Sequence, residues 1–492
     1  MTMPPLAVCD RARQTKDARF DGLFYTGVRS TRIYCRPVCP APTPKPQNIV
    51  YFPSAASAAA AGYRPCLRCR PELAPGVRPN DENVRRALAL IAEGWLEEGS
   101  VETLASRVNV SARHLRRLFI DKVGATPLQV HQAHRISVAK QLLSDTALSI
   151  TQVALAAGFA SVRRFNDAFH ARCGMVPSAV RRRAAVPPAD GIRLRLVYRP
   201  PFDFGTTLAT LRAQALPGIE RVSAVAYERN VSTGREAAWI QVTADDRKPE
   251  LHLQAVGLRP QDIQPLVRRV RRMFDLDADL HAAHEFLRKE PTMAASITRR
   301  PGLRIPGAWD GFEWAVAVVL ESHADFAAES PSLLMQRLLE HYGATSADAR
   351  PGLDRVFPDA GVLAVADIEA TIGASRMTAQ SLRRLALAAR DRQLDFGSSQ
   401  HLDEFVERFI ACTGLSALQA HQVAWRALAD CDAWPAASAG GEGGASGDLG
   451  VRASAWRPWR SYAALHLGLA PAAASPKNAR SSRARAPLEA LP

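Results

Sequence analysis

The sequence predicts a multidomain chain. A small metal-stapled α+β domain comes first, followed by an all-α domain, a second α+β domain and a second all-α domain. Three observations predict this. Four cysteines cluster between positions 35 and 69; a helical pattern recurs about 48 residues apart between positions 101 and 166; and alternating apolar–polar stretches from Ile192 to about Leu253 give way to helical periodicity up to about Asp432. The 492 residues suit three or four domains at roughly 100–200 residues each. The boundaries read as 1–79, 80–186, 190–300 and 301–470, with a disordered tail over 471–492 that carries no core pattern. Pro75-Gly76-Val77-Arg78-Pro79 and Pro187-Pro188 punctuate the chain, and Ser438–Gly447 is a flexible Gly/Ser stretch.

The formal net charge is +15 and the pI about 9.9, with arginine the main basic residue. Such a surplus points towards nucleic acid, although GC-rich coding also favours arginine. No window holds 18 consecutive apolar residues, and Met1–Lys16 lacks the apolar core of a signal peptide. The expectation is a cytoplasmic, nucleoid-associated protein without membrane contact. In such a compartment cysteines serve as metal ligands or reactive thiols rather than as disulfides.

Cys35-x3-Cys39 and Cys66-x2-Cys69 are two short pairs about 26 residues apart, the spacing with which two knuckles offer four thiolates to Zn²⁺. A segment of under 60 residues folds poorly without such a staple. From the spacing alone, the site reads either as a structural zinc or as a reactive centre. Cys9, Cys173, Cys412 and Cys431 have no ligand spacing and read as packing residues.

The stretch from Val101 to Phe119 has a helix-turn-helix layout. Leu104 and Ala105 pack the first helix, Asn109 sits at the turn, and Ser111 caps a second helix carrying Arg113, His114, Arg116 and Arg117. The pattern recurs from Ser149 to Asn166, with Gly158 at the turn and Ser161 capping a helix with Arg163 and Arg164. These side chains are the candidates for the major groove and for phosphate, so double-stranded DNA is the expected partner.

Two family resemblances bear on the first half. Phe24–Cys39, followed by Ala61–Cys69, closely resembles the N-terminal domain of the Ada alkylation-response proteins over about residues 8–75. The tandem helix-turn-helix, with Phe165-Asn166-Asp167-Ala168-Phe169 and Pro177-Ser178, resembles the AraC-type activator domain over about 82–182. The first resemblance implies that Cys35 is both a zinc ligand and a suicide nucleophile for a methylated DNA phosphate. A metal-held cysteine is thiolate at neutral pH, and thiolate is the nucleophile. Methylation changes a zinc tetrathiolate from −2 to −1. At roughly 1–4 kcal/mol per charge pair at 4 Å, that loss raises DNA affinity by ~10-fold or more. The combination implies a methylation-triggered activator, with RNA polymerase as a further partner. The Pro-Cys-His-Arg motif that ends full Ada proteins does not occur, so no repair of O6-methylguanine is expected from this chain.

The second half resembles the AlkA 3-methyladenine DNA glycosylases over about 192–470. Tyr198–Asp203, Leu216–Glu220 and Arg271–Asp279 match the AlkA N-terminal α+β domain, and Arg300–Asp310 leads into its all-α helix-hairpin-helix glycosylase domain. Trp456–His466 matches its closing helix. The resemblance implies excision of alkylated purines after base flipping. It places Thr413, Gly414 and Ser416 at the DNA-binding hairpin and assigns the catalytic aspartate to Asp448, in Asp448-Leu449-Gly450-Val451. Departures from the family pattern, among them acidic Glu321 and Asp325 near the expected phosphates, leave a second reading open, a decayed glycosylase kept as a DNA-binding scaffold. Ser416 replaces the hairpin's second glycine, Leu418 and Gln422 stand where aromatics are common, and a Gly/Ser insertion precedes Asp448.

Overall fold

The computed structural model describes residues 3–76, 81–183, 191–232, 237–322, 330–397, 400–435 and 452–469. Asp448 and the expected disordered tail lie outside these residues.

The N-terminal module is a four-stranded sheet in the order β3-β1-β2-β4, formed by β1 (Tyr25–Val28), β2 (Ile33–Cys35), β3 (Ile49–Phe52) and β4 (Arg64–Pro65). β1 runs antiparallel to both neighbours, and β4 pairs parallel with β2. Gly27 in mid-strand lies beneath aromatic cover: a Cβ there would sit 2.6 Å from Phe52 and 3.0 Å from Tyr63. The core is small, with Tyr25, Tyr34, Ala58 and Tyr63 in one cluster and Cys9, Ala12 and Phe24 in another.

Next come Glu82–Ala92, the pair Val101–Arg107 and Ala112–Val123, the long connector Pro127–Asp145, and the pair Ile150–Ala156 and Val162–Cys173. Side-chain caps start these helices where the sequence places them: Ser100, Ser111, Thr126, Ser149 and Ser161 each accept a backbone N–H three residues on. Asn109 (φ 59°) and Gly158 (φ 75°) take the left-handed turn positions.

The third region is an antiparallel five-stranded sheet in the order β5-β9-β8-β7-β6: β5 (Ile192–Val197), β6 (Glu220–Val222), β7 (Ala226–Ser232), β8 (Ala237–Ala244) and β9 (Glu250–Val256). Its apolar face shares one continuous core with the second helix-turn-helix unit, Phe165 and Phe169 lying in the same cluster as Leu194, Ile240 and Leu253. The final region packs helices, among them Gly311–Ser322, Arg376–Arg390, Leu402–Thr413 and Ala417–Ala427, around a large core with Trp425 and Tyr462 fully buried. The uniformly helical pattern expected from Gln261 to Asp432 is interrupted. β10 (Ala344–Arg350) and β11 (Leu353–Val356) form a hairpin around Pro351-Gly352, with Gly352 at φ 73°. The Asn230 amide holds this hairpin against β7 by donating to the Leu353 carbonyl at 2.6 Å. That tertiary dock lies outside the reach of local periodicity.

Candidate metal centre and nucleic-acid interface

The four cysteines converge because two strand ends meet. Cys35 closes β2, and the next turn, with the Cys39 N–H donating to the Arg36 carbonyl at 3.2 Å, brings Cys39 back beneath it. β4 runs parallel to β2, and the Cys66 N–H donates to the Tyr34 carbonyl at 3.0 Å, which sets the second pair beside the first. One sulfur from each of Cys35, Cys39, Cys66 and Cys69 lies within 4.8 Å of all the others. Zinc–sulfur bonds of 2.3 Å in a tetrahedron place sulfurs about 3.8 Å apart, so the donor set fits Zn²⁺ in both chemistry and spacing. Sulfur-to-sulfur hydrogen bonds pull Cys39 down to about 7, its bond with Cys35 the largest cause, and push Cys35 well up. Crowding thus favours the thiolate at Cys39 and Cys66 and opposes it at Cys35 and Cys69, and a divalent cation would ionise all four.

The surroundings of the four sulfurs differ. Cys66 and Cys69 are buried, whereas Cys35 and Cys39 are half-buried and open to solvent. The Arg36 N–H donates to Cys69 Sγ at 3.3 Å, and backbone N–H groups of Ala41 and Cys69 favour the thiolates of Cys39 and Cys66. Among the described contacts, no backbone N–H reaches the Cys35 sulfur, which leaves it the sulfur whose charge is least drawn off. Behind Cys35 lies a buried ion pair that sequence reasoning missed. Arg36 donates from Nε to Asp21 at 2.8 Å and from Nη1 to the Cys69 carbonyl at 3.0 Å. Around this centre Arg29, Arg32, Lys45, Arg64 and Arg68 are exposed.

In the first helix-turn-helix unit Arg113, Arg116 and Arg117 are exposed and His114 is half-buried. Two of the candidates are already engaged: Arg116 pairs with Glu102 at 2.9 Å and Arg117 lies 3.0 Å from His114 Nδ1. In the second unit Ser161, Arg163 and Arg164 are all exposed at the start of their helix, and the Ser161 hydroxyl accepts the Arg164 N–H at 3.3 Å.

The helix-hairpin-helix turn joins Leu402–Thr413 to Ala417–Ala427, with Gly414 exposed at φ 76°. Thr413 closes the first helix of the hairpin; it is 1% exposed and its hydroxyl donates to the Phe409 carbonyl at 2.6 Å, so its side chain shapes the turn from inside. Ser416 is exposed and forms a capping box with Gln419, whose Oε1 accepts the Ser416 N–H at 2.7 Å. Thr413 Oγ1 accepts the Leu415 N–H at 3.2 Å. Two hairpin N–H groups are thereby satisfied within the protein.

Three family models match the chain: the metal binding domain of Ada over residues 8–72, a helix-turn-helix domain over 104–183 and the AlkA N-terminal domain over 193–310. A relative in Mycobacterium tuberculosis, named "Probable bifunctional transcriptional activator/DNA repair enzyme AlkA", is 35% identical over 93% of this chain and 95% of its own length. The chain belongs to this bifunctional AlkA family. Within that family assignment, the C-terminal half is similar to DNA-3-methyladenine glycosylase 2 of Escherichia coli, at 27% identity over 55% of this chain and 95% of the relative. Among solved structures, the methylated N-ADA/DNA complex is 35% identical over 26% of this chain and 96% of that chain, with a TM-score of 0.13. No helix of the described residues is long and apolar enough to cross a membrane.

Proposed function

We propose that this bifunctional AlkA-family member answers DNA alkylation damage in two ways. Its N-terminal half takes a methyl group from a DNA methylphosphotriester and then activates transcription, and its C-terminal half excises alkylated purines. Cys35, Cys39, Cys66 and Cys69 would hold Zn²⁺, which when bound keeps the sulfurs ionised at neutral pH. Cys35 is the methyl acceptor. Its Sγ attacks the methyl carbon, an S–C bond forms, and the C–O bond breaks with its electron pair leaving on the phosphodiester. The observation that carries this assignment is the environment of Cys35, half-buried and, among the described contacts, without a backbone N–H on its sulfur. The resulting thioether is neutral, so the basic surface of Arg29, Arg32, Lys45, Arg64 and Arg68 holds DNA against one negative charge fewer. Arg113, His114, Arg116, Arg117, Ser161, Arg163 and Arg164 are the proposed DNA-reading residues of the two recognition helices, and RNA polymerase in a cytoplasmic, nucleoid-associated setting is the proposed downstream partner. Intact-mass and peptide mapping after incubation with methylated DNA should find one added methyl group, on Cys35. Methyl uptake by Cys35→Ala would refute the assignment.

In the glycosylase half, the hairpin residues Thr413, Gly414 and Ser416 are the proposed phosphate contacts and Asp448 the proposed electrostatic stabiliser of the sugar cation. The second reading, a non-catalytic DNA-binding scaffold, draws support from the hairpin N–H groups already bonded to Thr413 and Gln419. Duplex DNA carrying 3-methyladenine or 7-methylguanine separates the two. Base release that is lost in Asp448→Asn supports the enzyme, and no release by folded protein supports the scaffold.

A further inference from the structure

The hairpin between β8 and β9 gathers a second set of metal-ligand side chains, far in sequence from the cysteines. Asp245 directly follows β8, Glu250 opens β9 and His252 comes two residues later, so the two β9 side chains project from one face of the sheet. One ligand atom from each of Asp245, Glu250 and His252 lies within 4.8 Å of both others. Asp245 Oδ2 is 3.1 Å from His252 Nε2. The other oxygen, Oδ1, accepts the backbone N–H groups of Arg247 and Lys248, each at 2.8 Å, which fixes the carboxylate and aims Oδ2 at the imidazole.

Glu250 points to a ligand. It is 6% exposed, and among the described contacts its carboxylate meets neither a hydrogen-bond donor nor a cation. A divalent cation held with Asp245 and His252 would supply the opposite charge that this carboxylate lacks. The neighbouring basic side chain on that sheet face is Arg195, opposite His252 in the register, and it is turned towards Asp145 at 3.4 Å. The Tyr198 phenol reports the same negative surplus. Burial pushes it up first, Arg304 opposes that, and Asp245 and Glu250 push it further.

We infer that Asp245, Glu250 and His252 form a site for a first-row divalent cation of the Mn²⁺ or Zn²⁺ class, distinct from the four-cysteine centre. Two carboxylates with one imidazole are a donor set for such ions, whereas the thiolate centre prefers softer ones. Adjacent ligand atoms at 2.0–2.2 Å from a metal lie about 3 Å apart, in line with the Asp245–His252 separation. His252 has 44% of its side chain exposed, so water reaches the remaining coordination positions.

The test uses the full chain with zinc in its cysteine centre and Mn²⁺ as the probe, followed by loss of the free-ion electron paramagnetic resonance signal. The wild type should bind one Mn²⁺ per chain. Glu250→Gln and His252→Ala should each weaken binding by about tenfold or more, while Asp246→Asn on the same exposed turn should bind as the wild type does. Undiminished binding in His252→Ala, or no depletion of the free signal by the wild type, overturns the site. His252 is half-exposed, so its variant carries the test even if Glu250→Gln fails to fold; far-UV circular dichroism monitors both.

Discussion

The zinc module and the glycosylase-like domain reach order by opposite means. The former has only Tyr25, Tyr34, Ala58 and Tyr63 in its principal core and concentrates its chemistry in four sulfurs and one buried Arg36–Asp21 pair. The latter buries dozens of apolar side chains around Trp425, Phe405 and Tyr462, and its proposed catalytic residue follows a Gly/Ser-rich insertion in the sequence. The lesson concerns where function resides. In the small module the proposed methyl acceptor is one of the four sulfurs that would also staple the fold, so fold and chemistry should fail together. In the large one a broad apolar core carries the fold, so loss of one reacting residue should leave the fold in place.

Metal removal should give the largest contrast. Chelation at neutral pH is expected to abolish amide-exchange protection across residues 8–72 while leaving the helices Gly311–Ser322 and Ala417–Ala427 protected. Equal loss in both regions would collapse the distinction. Asp21→Asn comes next. It strands a buried guanidinium beside the cysteines and should cost about 3–5 kcal/mol, seen as a lower denaturant midpoint for the N-terminal module.

A graded effect of acid should mark the other side of the comparison. His284 and His466 meet edge to face with centroids 5.4 Å apart, where the helix Leu280–Leu287 joins the large helical core, and burial is the main reason both fall from 6.5 to about 4. The unfolded chain therefore binds more protons than the folded one between those values. Stability is full above pH 6.5 and declines as the pH falls towards 4. Replacing His284 with Gln should flatten that decline in thermal melts, and an unchanged slope would exclude the pair as its source. The smallest expected effect is Ser161→Ala. Loss of the cap should cost about 1 kcal/mol of local helix stability. With Arg163 and Arg164 still present, the salt dependence of DNA binding should hold.

Legibility in the sequence followed range. Cysteine spacing, helix caps and the two helix-turn-helix units are local patterns, and Ser111, Ser161 and Gly158 stand in the structure where the sequence places them. Contacts between distant segments left no local trace. The Arg36–Asp21 pair spans 15 residues, the Asn230–Leu353 dock spans 123, and Arg229 reaches Glu313 at 2.6 Å across 84. At Thr413 the motif specified the turn but not the side chain's direction, which the packing of Phe409 and Leu415 sets inward.

Arg199 makes the joining of the two halves more than a tether. From the sheet region, this one buried guanidinium donates to the carbonyls of Asp21 at 3.1 Å, Gly76 at 2.7 Å, Asp277 at 2.5 Å and Ala278 at 3.2 Å. Two of those acceptors belong to the sensor side and two to the repair side. A gene cut anywhere between them would leave carbonyls facing an empty socket on one product and a buried positive charge without its lining on the other. The parts of this protein are therefore no longer interchangeable with their free-standing cousins. Sensor and repair halves share an interior at this residue, so neither can be excised without exposing it.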